Sequence, residues 1–133
     1  MIDNANEKLL REAGEDYLEA ILRLEEGADH VRSIDVAAAM NVSRPSVNKA
    51  IGVLKKAGMV EQKPYGHIYL TDLGREQAAE ILGRHRVFKY FLTHVLHVDP
   101  EVAENEACKM EHVVSEETMK KFVAYIENLE NKQ

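Results

Sequence analysis

Cys108, Glu111 and His112 stand at positions i, i+3 and i+4 of one short stretch, Cys108-Lys109-Met110-Glu111-His112. On a helix, which turns about every 3.6 residues, these three side chains share one face. That face offers a thiolate, a carboxylate and an imidazole, a donor set that suits a transition metal. Three groups from one helical turn do not close such a site, so further donors have to come from elsewhere. Two other places carry suitable groups. Asp16 and Glu19, at i and i+3, project two carboxylates to one side of a helix. His85 lies in line with Ile81, Leu82, Phe88 and Leu92. On pattern alone the acidic pair reads as a solvated face, and His85 as a hydrogen-bonded histidine at a core edge.

These residues have to be held by secondary structure. A helical stripe runs from about residue 8 to 25, through Leu9, Leu10, Ala13, Tyr17, Leu18, Ile21, Leu22 and Leu24, with Gly27 as its stop. Ser33 is expected to cap a short helix over 34–40, followed by a tight turn at Asn41-Val42. Ser43 then caps a second helix over 45–57, with Pro45 in its first turn, Val47, Ile51 and Leu54 inward, and Gly58 at its end. This is the pattern of a helix-turn-helix. The sequence 59–70 predicts two short strands around a Pro64-Tyr65-Gly66 turn, which makes the hairpin a wing. A helix from Thr71 or Asp72 to about residue 97, a second over 101–113 behind Asp99-Pro100, and a third behind Ser115 complete the chain. The fold class expected is mainly α: an N-terminal winged helix-turn-helix over 1–73 and an all-helical dimerisation domain over 74–133 that also binds metal.

The 133 residues carry a net charge of −6, unevenly spread. Residues 1–30 carry −6, residues 31–66 carry +4, residues 67–97 carry +1 and residues 98–133 carry −5. The one clearly basic block is therefore the helix-turn-helix with its wing, and a polyanion responds to that local field. Ser43, Arg44, Pro45, Ser46, Asn48 and Lys49, with Lys63 and Tyr65 of the wing, are the residues expected to meet DNA. Lys55, Lys56 and His67 lie on the same outward surfaces. Phosphates and base edges suit these side chains. A single cysteine excludes an internal disulfide framework and fits a reducing, cytoplasmic setting. Neither a signal peptide nor a membrane-length apolar run is visible, so no membrane partner is expected.

With winged helix, His85 and Cys-x-x-Glu-His taken together, the chain resembles the diphtheria toxin repressor family of metal-dependent transcription regulators. The matching marks are Asp16-Tyr-Leu-Glu19, the Ser-Arg-Pro-Ser-Val run, Leu70-Thr-x-x-Gly74, Gly83-Arg-His85-Arg and Glu106-Ala-Cys108-Lys-Met-Glu111-His112. The resemblance implies Asp16, Glu19, His85, Cys108, Glu111 and His112 as metal ligands. It also implies a homodimer that binds a palindromic double-stranded operator when loaded with metal. The chain departs from both main branches. The iron-responsive branch has Met at the position of Asp16, an acid at Lys89, a histidine at Glu104, and an SH3-like third domain beyond the point where this sequence ends. The manganese-responsive branch matches Asp16 and the two-domain layout but has Glu at Cys108. Mn(II) is the expected ion, Fe(II) the next, with Zn(II) and Co(II) also compatible with the donors. Cys108 is either a thiolate ligand or a neighbour of a carboxylate–histidine site.

Three other functions compete. A metal-independent winged-helix regulator would use the Cys/Glu/His face structurally. An enzyme would need an orienting third group and an oxyanion site beside Cys108 and His112, and the sequence offers neither. A metal buffer would leave the basic helix and the wing unexplained.

Overall fold

The computed structural model describes residues 4–131, with side chains described from Arg11 onward. Leu9 and Leu10, expected on the apolar stripe of the first helix, lie outside the described side chains. The chain divides into two compact units, Met1–Glu80 and Ile81–Gln133.

The first unit opens with α1 (Asn4–Gly27), longer at both ends than the apolar stripe suggests. Tyr17, Leu18 and Ile21 from its inner face enter a core with Val31, Val36, Val47, Ile51, Leu54, Val60, Ile68, Leu70 and Ala78. Helix α2 (Ser33–Met40) starts one residue earlier than expected. Its N-cap is Arg32, not Ser33. The Asp35 carboxylate reaches back to accept from the Arg32 N–H at 2.9 Å, so the orphan donor is satisfied from inside the helix. Ser33 is freed for another contact, and its hydroxyl donates to Asn48 Oδ1 at 3.1 Å. Asn41 turns left-handed (φ 55) and ends α2.

Helix α3 (Arg44–Lys56) begins as expected. The Ser43 hydroxyl accepts from the Ser46 N–H at 3.2 Å, and Pro45 sits in the first turn, where its missing N–H removes no bond. Gly58 (φ 75) reverses the chain into the wing. The wing is an antiparallel pair, β1 (Val60–Gln62) and β2 (Ile68–Leu70), in the register Val60↔Leu70, Glu61↔Tyr69, Gln62↔Ile68. A bridge from Val31 to Ile68 ties the start of β2, next to the turn, to the segment before α2. Pro64–Gly66 forms a tight helical turn at the tip, with Tyr65 at φ 77 and its ring 91% exposed.

Thr71 caps α4 (Asp72–Tyr90): its hydroxyl oxygen accepts from the Gly74 N–H at 3.1 Å and donates to the Gly58 carbonyl at 2.6 Å. The helix start therefore lies hard against the end of α3. A Cβ on Gly74 would stand 1.9 Å from the Met59 carbonyl oxygen, so this position accepts no side chain.

In the second unit α4 ends at Tyr90, short of the expected 97, and continues as a π-helical turn over Phe91–Val95. Thr93 explains the change. Its hydroxyl donates to the Lys89 carbonyl at 2.8 Å and competes with the ordinary helical pattern. Left-handed His97 (φ 59) then stops the helix. Asp99 caps α5 (Pro100–Met110), accepting from the Glu101 N–H at 3.0 Å. This helix also ends earlier than 113. The Arg84 guanidinium draws in the Glu111 and Val114 carbonyls at 3.3 and 3.0 Å, and the chain turns there. Ser115 caps α6 (Glu116–Asn131) by accepting from the Thr118 N–H. Phe88, Ala107 and Met119 form the centre of a small core with Val87, Met110, Val114 and Phe122. The protein is thus mainly α, with a winged helix-turn-helix followed by helices, as the sequence predicts.

Candidate metal centre and nucleic-acid surface

The sequence periodicity that puts His85 on the inward side of α4 buries it to 2% exposure. A buried imidazole needs partners for both ring nitrogens. Helix α5 and the turn after it supply them. His85 Nδ1 lies 2.9 Å from Glu111 Oε2 and 3.5 Å from Cys108 Sγ. His85 Nε2 lies 3.0 Å from Glu104 Oε2. Lys89, one turn along α4, places its ammonium 2.9 Å from that same Glu104 oxygen. Glu111 is fully buried, and its other oxygen lies 3.5 Å from His112 Nε2.

This setting fixes the protonation of the ring. Hydrogen bonding to Cys108 and then to Glu111 raises the pKa of His85 from 6.5 to about 10, against the opposing effect of burial. The ring is therefore an imidazolium at neutral pH, donating from both nitrogens. Burial pushes Glu104 upward, but the hydrogen bonds and charges of Lys89 and His85 outweigh it and bring the pKa to about 2.

His85, Glu104 and Cys108 each offer one donor atom, and these atoms lie within 4.8 Å of one another. With Glu111 added, the set holds an imidazole, a thiol and two carboxylates. That chemistry fits a borderline divalent transition ion better than calcium or magnesium, which favour all-oxygen sites. Among the sequence-derived candidates, His85, Cys108, Glu111 and His112 are brought together in this unit. Asp16 and Glu19 lie on α1 in the first unit. Glu19 is only 5% exposed, so the pair is not the solvated acidic face that the pattern alone suggests, and Arg23 donates to Glu19 Oε1 at 2.7 Å.

Glu104 was absent from the sequence-derived set. Its signal is the i, i+4 spacing to Cys108, which puts the two on one side of α5. The helix also ends sooner than expected. Glu111 is the C-cap of α5 and His112 follows it in a turn, so only Cys108 of the opening trio is strictly helical.

The residues expected to meet DNA lie in the first unit. Ser43, Arg44, Pro45, Ser46, Asn48 and Lys49 are all exposed at the start of α3, as are Lys55 and Lys56 at its end. Ser43 and Ser46 share a 2.8 Å hydroxyl–hydroxyl bond. Lys63 and Tyr65 are exposed on the wing, with the Lys63 ammonium 5.3 Å from the centre of the Tyr69 ring. His67 directly follows the wing's turn, its carbonyl accepting from the Lys63 N–H at 2.9 Å, and its ring is stacked on His30 at 4.0 Å. No helix among the described residues is long and apolar enough to cross a membrane.

A winged helix joined to a helical unit with a buried histidine–carboxylate–thiol cluster defines a metal-responsive DNA-binding regulator. Comparison with known proteins agrees. Residues 9–68 match the N-terminal DNA-binding domain of iron-dependent repressors, and residues 71–133 match their metal-binding and dimerisation domain. The chain belongs to the diphtheria toxin repressor family. It is 34% identical over 119 residues to a helix-turn-helix-type transcriptional regulator of Methanocaldococcus jannaschii, covering 89% of this chain and 95% of that protein. It is 40% identical over 112 residues to the transcriptional regulator MntR of Escherichia coli O6:H1, covering 84% of this chain and 72% of MntR. The solved structure of a manganese-dependent transcriptional repressor in complex with manganese superposes with a TM-score of 0.78 at 31% identity, over 84% of this chain. The chain spans about half (51%) of that structure's length.

Proposed function

We propose that this protein is a metal-dependent transcriptional repressor that binds a palindromic double-stranded operator as a homodimer, controls metal-ion homeostasis genes, and works in the cytoplasm as a regulator rather than an enzyme. The observation that carries this reading is His85, buried and held by Glu104, Cys108 and Glu111 in a chain whose other unit is a winged helix. The ligands proposed are Asp16, Glu19, His85, Cys108, Glu111 and His112. Mn(II) is the ion proposed first, supported by Asp16 and by the likeness to MntR. Fe(II) follows, and the thiol keeps Zn(II) and Co(II) within reach.

A bound divalent ion supplies positive charge that cancels the carboxylates and thiolate. The chain's own residues do the rest. Arg84 fixes the turn that carries Glu111. Glu104 and Glu111 hold the His85 ring from its two sides. Ser43, Arg44, Pro45, Ser46, Asn48 and Lys49, with Lys63 and Tyr65, are the proposed DNA contacts. The proposed ligands come from sequence on both sides of the DNA-binding segment, so occupancy of the site and operator affinity are coupled reciprocally. The second unit leaves Leu96, Val102, Val113, Val123 and Tyr125 exposed, apolar surface of the kind a second copy covers.

The test is operator binding during titration with Mn(II), Fe(II), Zn(II) and Co(II), for wild type, Cys108→Glu and Asp16→Met. The reading expects metal to be required and the two substitutions to reorder the metals. Metal-independent binding by all three proteins would favour a regulator in which the Cys/Glu/His cluster is structural.

A further inference from the structure

Val31 stands opposite Ile68 in an antiparallel bridge, and the Ile68 N–H donates to the Val31 carbonyl at 2.8 Å. Both side chains enter the core of the first unit. Side chains on extended backbone alternate between faces, so the neighbours of these two, His30, Arg32, His67 and Tyr69, gather on the outer face. Their contacts agree. The His30 and His67 rings stack at 4.0 Å with 12° between their planes. Arg32 Nη2 lies 3.5 Å from His67 Nε2, and the Tyr69 hydroxyl lies 3.4 Å from His67 Nδ1. Lys63 Nζ stands 5.3 Å from the centre of the Tyr69 ring. Of the acids nearby, Glu61 pairs with Tyr69 across the wing, Asp29 adjoins His30 in the chain, and the Asp35 carboxylate accepts from the Arg32 N–H.

A guanidinium only donates, so His67 presents the Nε2 lone pair to Arg32 and keeps its hydrogen on Nδ1, toward Tyr69. These contacts hold the ring neutral. Partial burial, then the charge of His30 and then that of Arg32, keep its pKa below the ordinary 6.5. Two stacked imidazoles and a guanidinium repel one another once charged, and an anion set against them removes that repulsion. We propose that Arg32 and His67, with His30 stacked behind, form a contact for a backbone phosphate of the DNA duplex beside the wing, and that His67 takes up a proton from solvent as the phosphate docks. The inference rests on the DNA-binding reading above and deepens it, adding two residues of the α1–α2 connection and a dependence on pH. Arg32 turns from the ring nitrogen to a phosphate oxygen, and the freed Nε2 gains a proton and becomes a second donor to the phosphate. The duplex thereby raises the affinity of His67 for a proton. By linkage, falling pH raises the affinity for the duplex.

The experiment uses a labelled palindromic duplex selected from a random-sequence library in Mn(II). Its binding is followed by fluorescence anisotropy from about pH 8 to about pH 6 at constant ionic strength, with Mn(II) kept saturating at the lowest pH. Calorimetry in buffers of different ionisation enthalpy counts the protons. Wild type is expected to tighten about three- to tenfold over this range and to take up as much as one proton. His67→Gln should match wild type at the alkaline end and lose that gain, whereas His67→Lys, charged throughout, should bind tightly at both ends. Arg32→Gln should weaken binding at every pH and lower the log–log salt slope by about 1. A wild-type affinity that ignores pH, or a pH dependence that survives in His67→Gln, would overturn the phosphate contact while leaving the DNA-binding reading standing. Proton uptake on adding inorganic phosphate alone, with none on adding the duplex, would assign the cluster to a small free anion and also overturn it. No binding of any duplex by wild type would overturn that reading and this inference with it.

Discussion

Proton release is the most direct consequence of the His85 geometry. The raised pKa of about 10 means that the metal-free ring carries a proton throughout the neutral range. A metal ion held by this ring would need a lone pair that a proton now occupies, so binding and full protonation exclude one another. Well below pH 10, each unit of pH then changes the apparent dissociation constant about tenfold, or about 1.4 kcal/mol. Between roughly pH 6 and 8 the affinity for Mn(II) should tighten about a hundredfold from this proton alone. Isothermal titration calorimetry in buffers of different ionisation enthalpy counts the proton directly. A Cys108→Ser variant separates it from any proton the thiol loses. Affinity that stays flat with pH, with no proton passed to the buffer, would remove His85 from the ligand set.

Other perturbations follow from single contacts. In the metal-free protein, the raised His85 pKa adds stability that is fully present below about pH 6.5 and lost as pH rises through about 10. The depressed Glu104 pKa adds stability present above about 4.5 and lost as pH falls through about 2, so the melting temperature of the metal-free protein should peak between those limits. Gly74→Ala should lower stability by roughly 3 kcal/mol, despite about 1 kcal/mol gained in helix propensity, because its Cβ meets the Met59 carbonyl oxygen at 1.9 Å; urea denaturation without such a loss would contradict the close approach. Lys49→Ala should weaken binding to all DNA sequences alike and reduce the log–log salt slope by about 1, whereas an unchanged slope would take Lys49 off the phosphate backbone.

The first unit was largely legible in the sequence because its boundaries are set by local chemistry. Ser43, Pro45 and Gly58 fix both ends of α3 within the residues themselves, and Pro64-Tyr65-Gly66 marks the turn of the wing. The errors arose where a side chain from another turn of the chain intervened. Asp35 took over the capping that Ser33 was expected to perform. Thr93 diverted α4 into a π turn, and Arg84, more than twenty residues upstream, ended α5 at Met110. The donors Cys108, Glu111 and His112 were visible through their spacing, and His85 only as a histidine on an apolar stripe. What the stripe does not carry is the identity of the groups on the ring's two sides. Glu104 and Lys89 are ordinary charged residues on their own helices, and their roles appear only once α4 and α5 are packed together.

The central claim is that a divalent ion controls DNA binding through this cluster. Its most direct test is an operator duplex selected from a random-sequence library in the presence of Mn(II), with binding then measured by fluorescence anisotropy with and without chelator. Wild type should lose at least tenfold in affinity when the metal is removed, and Glu111→Gln should bind weakly in both conditions. Equal affinity with and without metal, in wild type and Glu111→Gln alike, would contradict the account.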